Sequence, residues 1–177
     1  EKPYIHCDFT IGNTALLSEL LRQDKLDFAV CGQNTNLSGV TFTPLGKEQI
    51  QFIVNTSNHP LLQQETVEIA DIIHYPILIG ENSCYYYQCV NHFLAENDLA
   101  FKTVYSCSAL HLIPEMMFGH AVGIIPRGTS VKPSNISFEV KGFDPQMPIG
   151  LLISTEKRTY LSQTKKNVIE VIKSSLS

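Results

Sequence analysis

The sequence predicts a two-lobed α/β protein, and three observations carry that prediction. The run Thr103 to Pro126, TVYSCSALHLIPEMMFGHAVGIIP, compresses a strand, a polar turn, an apolar helix and a second strand into one βαβ unit. The order strand, turn, helix also occupies Pro76 to Glu96, and a similar block precedes both. Between the early block and the later two lies Asn55-Thr56-Ser57-Asn58-His59-Pro60, a breaker cluster of the kind that joins lobes or turns a chain sharply. Alternating strands and helices build layered α/β domains, whose clefts open at the carboxyl ends of the parallel strands.

Tyr4 to Phe9 reads as a short strand, and Gly12-Asn13-Thr14 then leads into a helix with Leu16, Leu17, Leu20 and Leu21 on one face. Thr14 suits its N-cap and Asp24 its stop. Leu26 to Val30 is a buried strand, Cys31 to Gly39 a polar loop, and Val40 to Leu45 and Ile50 to Val54 two extended segments. Thr66 to Ile73 predicts a short acidic helix and Pro76 to Ile79 a buried strand, after which Gly80-Glu81-Asn82-Ser83-Cys84 turns into a helix over Tyr85 to Glu96. In the opening run, Thr103 to Tyr105 favour extended backbone and Ser106 and Ser108 can cap a helix. Ala109, Leu112, Ile113, Met116 and Met117 recur at helical spacing up to Gly119, and Val122, Ile124 and Ile125 form the returning strand. Ile136 to Val140 and Ile149 to Ser154 are further strands, and Ser162 to Leu176 is a last amphipathic helix.

At 177 residues, 44% of them hydrophobic, the chain can bury a core in one or two domains. Its net charge of −4 is scattered, and no basic run exceeds the pairs Lys157-Arg158 and Lys165-Lys166, which argues against nucleic-acid binding by this segment itself. Five cysteines, Cys7, Cys31, Cys84, Cys89 and Cys107, match no C-x-x-C or zinc framework, and six histidines include no i, i+4 pair. No metal site and no cofactor is expected. Reduced thiols, the lack of a leader at Glu1-Lys2-Pro3 and apolar runs too short to cross a bilayer give the expectation of a cytoplasmic protein with no membrane contact. The triplets beginning at Asn36, Asn55 and Asn135 fit the glycosylation pattern, which arises often by chance.

Four stretches in order, GNTALLSELLRQDKLDFAV, GVTFTPLGKEQIQFIVNTSNHPL, VEIADIIHYPILI and SALHLIPEMMFGHAVGIIP, resemble the effector-binding region of LysR-type transcriptional regulators. Leu26-Asp27, His59-Pro60-Leu61, Ser108, Gly119 and Pro126 occupy the family's motif positions. Three departures stand out. Asp24 replaces the usual helix-ending glycine, Ala121 replaces the second glycine of a G-x-G, and Pro114 interrupts a helix normally free of proline, so that it should kink the helix or move its start to about that residue.

The resemblance implies a periplasmic-binding-protein-like (type II) fold, with two Rossmann-like subdomains and a cleft between them. Residues 1–54 and 146–177 would form part of the first subdomain and 55–145 the second. It also implies a helix-turn-helix and the near lobe's first strand and helix upstream, DNA contact only through that missing domain, and a homodimer or homotetramer. The resemblance places a small-molecule effector against Asn13, Gly32-Gln33, Asn82-Ser83-Cys84-Tyr85 and the turn from Ser106 to Ser108. The residues alone pick the same turns, because each pairs backbone N–H donors with short polar side chains beside a helix start. The same groups serve equally as caps with no ligand present. None of these turns carries Arg or Lys, the nearest being Arg127, so a dianionic effector is disfavoured.

Cys84 beside a helix start could sense oxidants, with Cys89 or Cys107 resolving, although free cysteines are more often simply buried. Tyr85, Tyr86 and Tyr87 occupy consecutive helical positions and so cannot share one face. Met116 and Met117 read as core residues, and His59 as a linker turn residue. Two other classes are open to such a scaffold. A solute-binding protein of a transport system shares the two-lobed plan but requires a signal sequence. An enzyme resembling prephenate dehydratase requires a Thr-Arg-Phe motif, which this chain lacks. The expectation is therefore a sensing domain without catalysis.

Overall fold

The computed structural model describes residues 6–33, 38–145, 147–156 and 161–176. They form two sheets. The smaller has three strands in the order β1 (Ala29–Gly32), β8 (Pro148–Ser154), β2 (Val40–Lys47), both pairs antiparallel. The larger runs β5 (Thr103–Cys107), β4 (Pro76–Gly80), β6 (Val122–Pro126), β3 (Ile50–Val54), β7 (Ile136–Phe138). In it β4 is parallel to β5 and β6, while β3 is antiparallel to β6 and β7. The run Thr103 to Pro126 is thus a βαβ unit whose two strands flank β4.

Helices cover both sheets because the strand residues alternate. Around the small sheet, Leu152 faces Leu17 and Leu21 of α1 (Thr14–Arg22), and its neighbours Leu151 and Ile153 face Ile169 of α5 (Gln163–Leu176). On the large sheet, Ile77, Ile79, Val122 and Ile124 pack on Val90 and Leu94 of α3 (Tyr85–Glu96). The opposite face, with Ile53, Leu78 and Ile125, receives Ile113 at the start of the short α4 (Ile113–Met116). Burying both faces of a strand requires continuous apolar runs such as Pro-Ile-Leu-Ile in β4, which no single-sided sheet would tolerate.

Several expectations are corrected. A division at residue 54 puts Ile50–Val54 with the first sheet, yet β3 hydrogen-bonds to β6 and β7, so the chain crosses between sheets at Glu48-Gln49. It crosses again between β7 and β8, and the Glu48 N–H donates to the Met147 carbonyl at 2.9 Å, tying the crossings together. Of the predicted strand at Tyr4 to Phe9, Tyr4 and Ile5 lie outside the described residues and 6–9 are not in a strand. Asn13, not Thr14, caps α1: its Oδ1 accepts from the Leu16 N–H at 2.9 Å, which puts Thr14 inside the helix and buries it. Asp24 does stop that helix, in left-handed backbone at φ 60°.

The acidic helix shrinks to α2 (Ile69–Ile72), opened by a capping box between Glu68 and Asp71. Pro114 has the larger effect. The predicted helix from Ala109 is a 3-10 turn over Leu110–Leu112 followed by one turn of α4, because a proline is accommodated only in a helix's first turn. With so little helix to cover them, Met116 is 50% exposed while Met117 packs on the core. His59 does cap a turn, over Pro60–Gln63, and is fully buried, its Nε2 3.1 Å from the His120 carbonyl and its Nδ1 accepting from the Leu61 N–H. The Asn36 triplet and the Lys157-Arg158 pair lie outside the described residues. Among those described, no helix is long and apolar enough to cross a membrane.

Candidate functional site

Parallel strands β4 and β5 end side by side, with Gly80 opposite Cys107, so the turns at 81–84 and 106–108 leave the sheet at the same end. From the first turn, α3 begins at Tyr85 with Cys84 as its N-cap residue, although the thiol makes no capping bond. The Cys84 Sγ instead folds back over Gly80: a Cβ added there would lie 2.5 Å from it. A residue larger than glycine would dislodge the thiol.

The N-terminus of α3 meets the small sheet directly. The Tyr85 hydroxyl donates to the Pro148 carbonyl at 3.0 Å, and its ring lies so close over Gly32 that any Cβ there would overlap it. Beside it, the Gln33 N–H donates to the same Pro148 carbonyl at 3.0 Å. Burial pushes the Tyr85 phenol well above its usual range, so it is a neutral donor at physiological pH. Across the same gap, Asn13 Nδ2 donates to Ser83 Oγ at 3.4 Å, and Ser83 in turn donates to Glu81 Oε1 at 2.6 Å. Asn13, Gly32, Gln33, Ser83 and Tyr85, predicted separately, therefore converge where the two sheets face each other.

The rest of the predicted set is less engaged. The carbonyl of Asn82 accepts from the Gln88 side chain at 3.2 Å. Ser106 and Ser108 are exposed at the end of β5, and no capping bond from Ser108 opens the following turn, whose N-cap residue is Ala109. That turn is too short to concentrate helix-end charge, so the N–H donors expected there have no helix dipole behind them. Cys107 Sγ donates to the Ala109 carbonyl at 3.3 Å and lies 3.8 Å from Met116 Sδ. Burial pushes the Cys89 thiol up, which opposes thiolate formation at one of the two residues paired with Cys84 in the redox reading.

The three tyrosines separate as helical spacing requires. Tyr85 reaches Pro148, Tyr86 donates to Glu48 Oε2 at 3.5 Å, and Tyr87 packs on the core of the large sheet. Glu81, Glu48 and the Pro148 carbonyl are the partners of these residues that sequence reasoning missed. Glu81 was legible in principle, two residues from Ser83 in a turn already singled out; the other two are brought in only by the fold. Arg127 follows β6 at the same end of the sheet, but its N–H donates to the Gln49 carbonyl at 2.8 Å and its guanidinium to Gln49 Oε1, so it is held by the crossing segment.

A two-lobed α/β body whose helix-start turns meet where its sheets join is the plan of a small-molecule binding domain. The chain belongs to the LysR substrate binding domain family, whose model matches residues 1–177, and it has that family's type II periplasmic-binding-protein-like fold. Solved structures agree at the level of the fold. The effector-binding domain of QuiR in complex with shikimate is 18% identical with a TM-score of 0.71, over 92% of this chain and 77% of that one. The BenM effector-binding domain with benzoate is 16% identical with a TM-score of 0.74, over 94% and 78%. A mutant of Corynebacterium glutamicum OxyR is 16% identical with a TM-score of 0.73, and although 93% of this chain is covered, it spans about half, 52%, of that chain. Compared by sequence with curated proteins, the chain matches none.

Proposed function

We propose that this chain is the effector-sensing domain of a LysR-type transcriptional regulator, and that its effector sits between the sheets against Asn13, Gly32, Gln33, Ser83 and Tyr85. The observation that carries the reading is the pair of polar contacts bridging the gap, Asn13 to Ser83 and Tyr85 to the Pro148 carbonyl. Each is a hydrogen bond that a ligand's hydroxyl or carboxyl oxygen can take over, so occupancy changes what holds the lobes together. Asn82, Cys84, Ser106 and Ser108 form the rim. The lobes on this reading are residues up to the crossing at Glu48-Gln49 together with β8 and α5, and the large sheet with its helices.

Ligand chemistry follows from the lining. Ser83, Asn13 and backbone N–H groups favour hydroxyl and carboxyl oxygens, whereas Glu81 and the absence of Arg or Lys among these residues disfavour multiple negative charge. A small neutral or singly charged acid fits best, with or without hydroxyl groups, in keeping with the shikimate and benzoate bound by QuiR and BenM. The whole protein, on this reading, is cytoplasmic, contacts DNA through a helix-turn-helix outside this chain, assembles as a homodimer or homotetramer and catalyses no reaction.

A thermal-shift screen over small carboxylates and polyols, followed by calorimetry, tests the site. The expected result is a stabilising hit whose affinity falls about tenfold in Ser83→Ala, the loss of one good hydrogen bond. A hit indifferent to Ser83→Ala and Asn13→Ala would place the effector elsewhere.

A further inference from the structure

A second hollow shares no residue with these turns. Strand β7 stops pairing with β3 after Phe52 meets Phe138, while β3 continues alongside β6 to Ile50. The chain from Glu139 onward diverges towards the second crossing, and the fork so formed leaves a half-open hollow of about 470 Å³, a size typical of small-molecule pockets. It touches both crossings, through Glu48 and Gln49 on one and Met147 on the other. Its apolar lining combines Ile50, Val140, Pro145 and Met147 with three phenylalanines, Phe138 and Phe143 flanking the buried Phe52 with ring centroids 5.9 and 5.1 Å from it.

We propose that this hollow is a second binding site, for a compact organic ammonium ion with an apolar or aromatic body. The charges select the sign. Glu48, Glu139 and Asp144 line the hollow against one guanidinium, Arg127, which keeps its charge while it donates to Gln49 Oε1, so carboxylates outnumber the cation. Phe138 and Phe143, both partly buried and both lining the hollow, add to the preference, because aromatic rings attract cations over their faces and repel anions. Glu48 also accepts from the Tyr86 hydroxyl at 3.5 Å, one residue from the Tyr85 that spans the cleft. An ammonium drawn to Glu48 competes with that contact, so this site reaches the helix that faces the effector. Binding itself does not depend on the reading of the cleft.

Calorimetry on the protein with three probes of similar size tests the site: 2-phenylethylammonium, 3-phenylpropionate and 2-phenylethanol. The ammonium binds, the other two bind at least about tenfold more weakly, and Glu139→Gln, a change at an exposed side chain, weakens the ammonium by about tenfold. Ser83→Ala, in the cleft, leaves it unchanged. The proposal is overturned by no heat from the ammonium up to its solubility, by equal affinity for all three probes, or by an affinity that ignores Glu139→Gln. An affinity that falls with Ser83→Ala instead assigns the probe to the cleft and also overturns it, whereas a failed effector screen with intact ammonium binding counts against the cleft alone.

Discussion

Asn13 holds two structures with one amide. Its oxygen caps α1 and its nitrogen reaches Ser83 across the gap. Replacement by alanine removes both, and the lost cap lowers stability by about 1 kcal/mol. Asn13→Asp keeps an oxygen for the cap but has no amide nitrogen to donate to Ser83. Urea unfolding should therefore show Asn13→Ala destabilised and Asn13→Asp near the parent, while effector affinity falls in both. Gly32 is constrained by its neighbour: a methyl group there overlaps the Tyr85 ring. Gly32→Ala should displace that tyrosine and weaken effector binding, and unchanged affinity by calorimetry would show that the ring plays no part in it. His59 supplies a pH dependence. Burial lowers its pKa from 6.5, outweighing the His120 carbonyl, which favours the charged form. The unfolded chain then binds the proton more readily, so this contribution is fully present above about pH 6.5 and is lost as the pH falls through the lower folded value. The urea midpoint should drop on acidification, and His59→Gln should flatten that drop.

Among the elements, α3 and α4 show what sequence could and could not give. Twelve residues of amphipathic pattern after a polar turn specify α3 without help, and its bounds agree with expectation at both ends. For α4 the apolar spacing was equally regular, but Pro114 has no N–H and crowds the preceding turn, so the helix begins beside it and lasts one turn. Of the two consequences expected of Pro114, a kink or a start moved to about that residue, the structure shows the second, and the capping role of Ser108 is lost with the helix before it. Packing energetics follow the same contrast. Leu94 of α3 is 1% exposed in the core, so Leu94→Ala should cost about 2–5 kcal/mol, whereas Met116→Ala at a half-exposed position should stay within about 0.5 kcal/mol. Chemical denaturation of the two variants compares them directly.

For the molecule as a whole, two chain crossings and a few polar contacts set how the sheets face each other. Tyr85→Phe removes the hydroxyl that meets the Pro148 carbonyl and should cost about 0.5–1.5 kcal/mol, by thermal or urea unfolding. Because that bond bridges the cleft, the variant should also respond more weakly to effector in solution scattering, and a response equal to the parent's would assign closure to other contacts.

What the sequence determined by itself was the class of fold, the order of the βα blocks and the turns that end on the cleft side, because these depend on local spacing of apolar residues, caps and breakers. It could not assign β3 to a sheet, since Ile50–Val54 is an apolar strand wherever it pairs; only hydrogen bonding to β6 and β7 decides that. Nor could it set Tyr85 over Gly32, or bring Glu48 to Tyr86. Those are meetings between residues 53 and 38 positions apart, fixed by how two separately buried cores are joined.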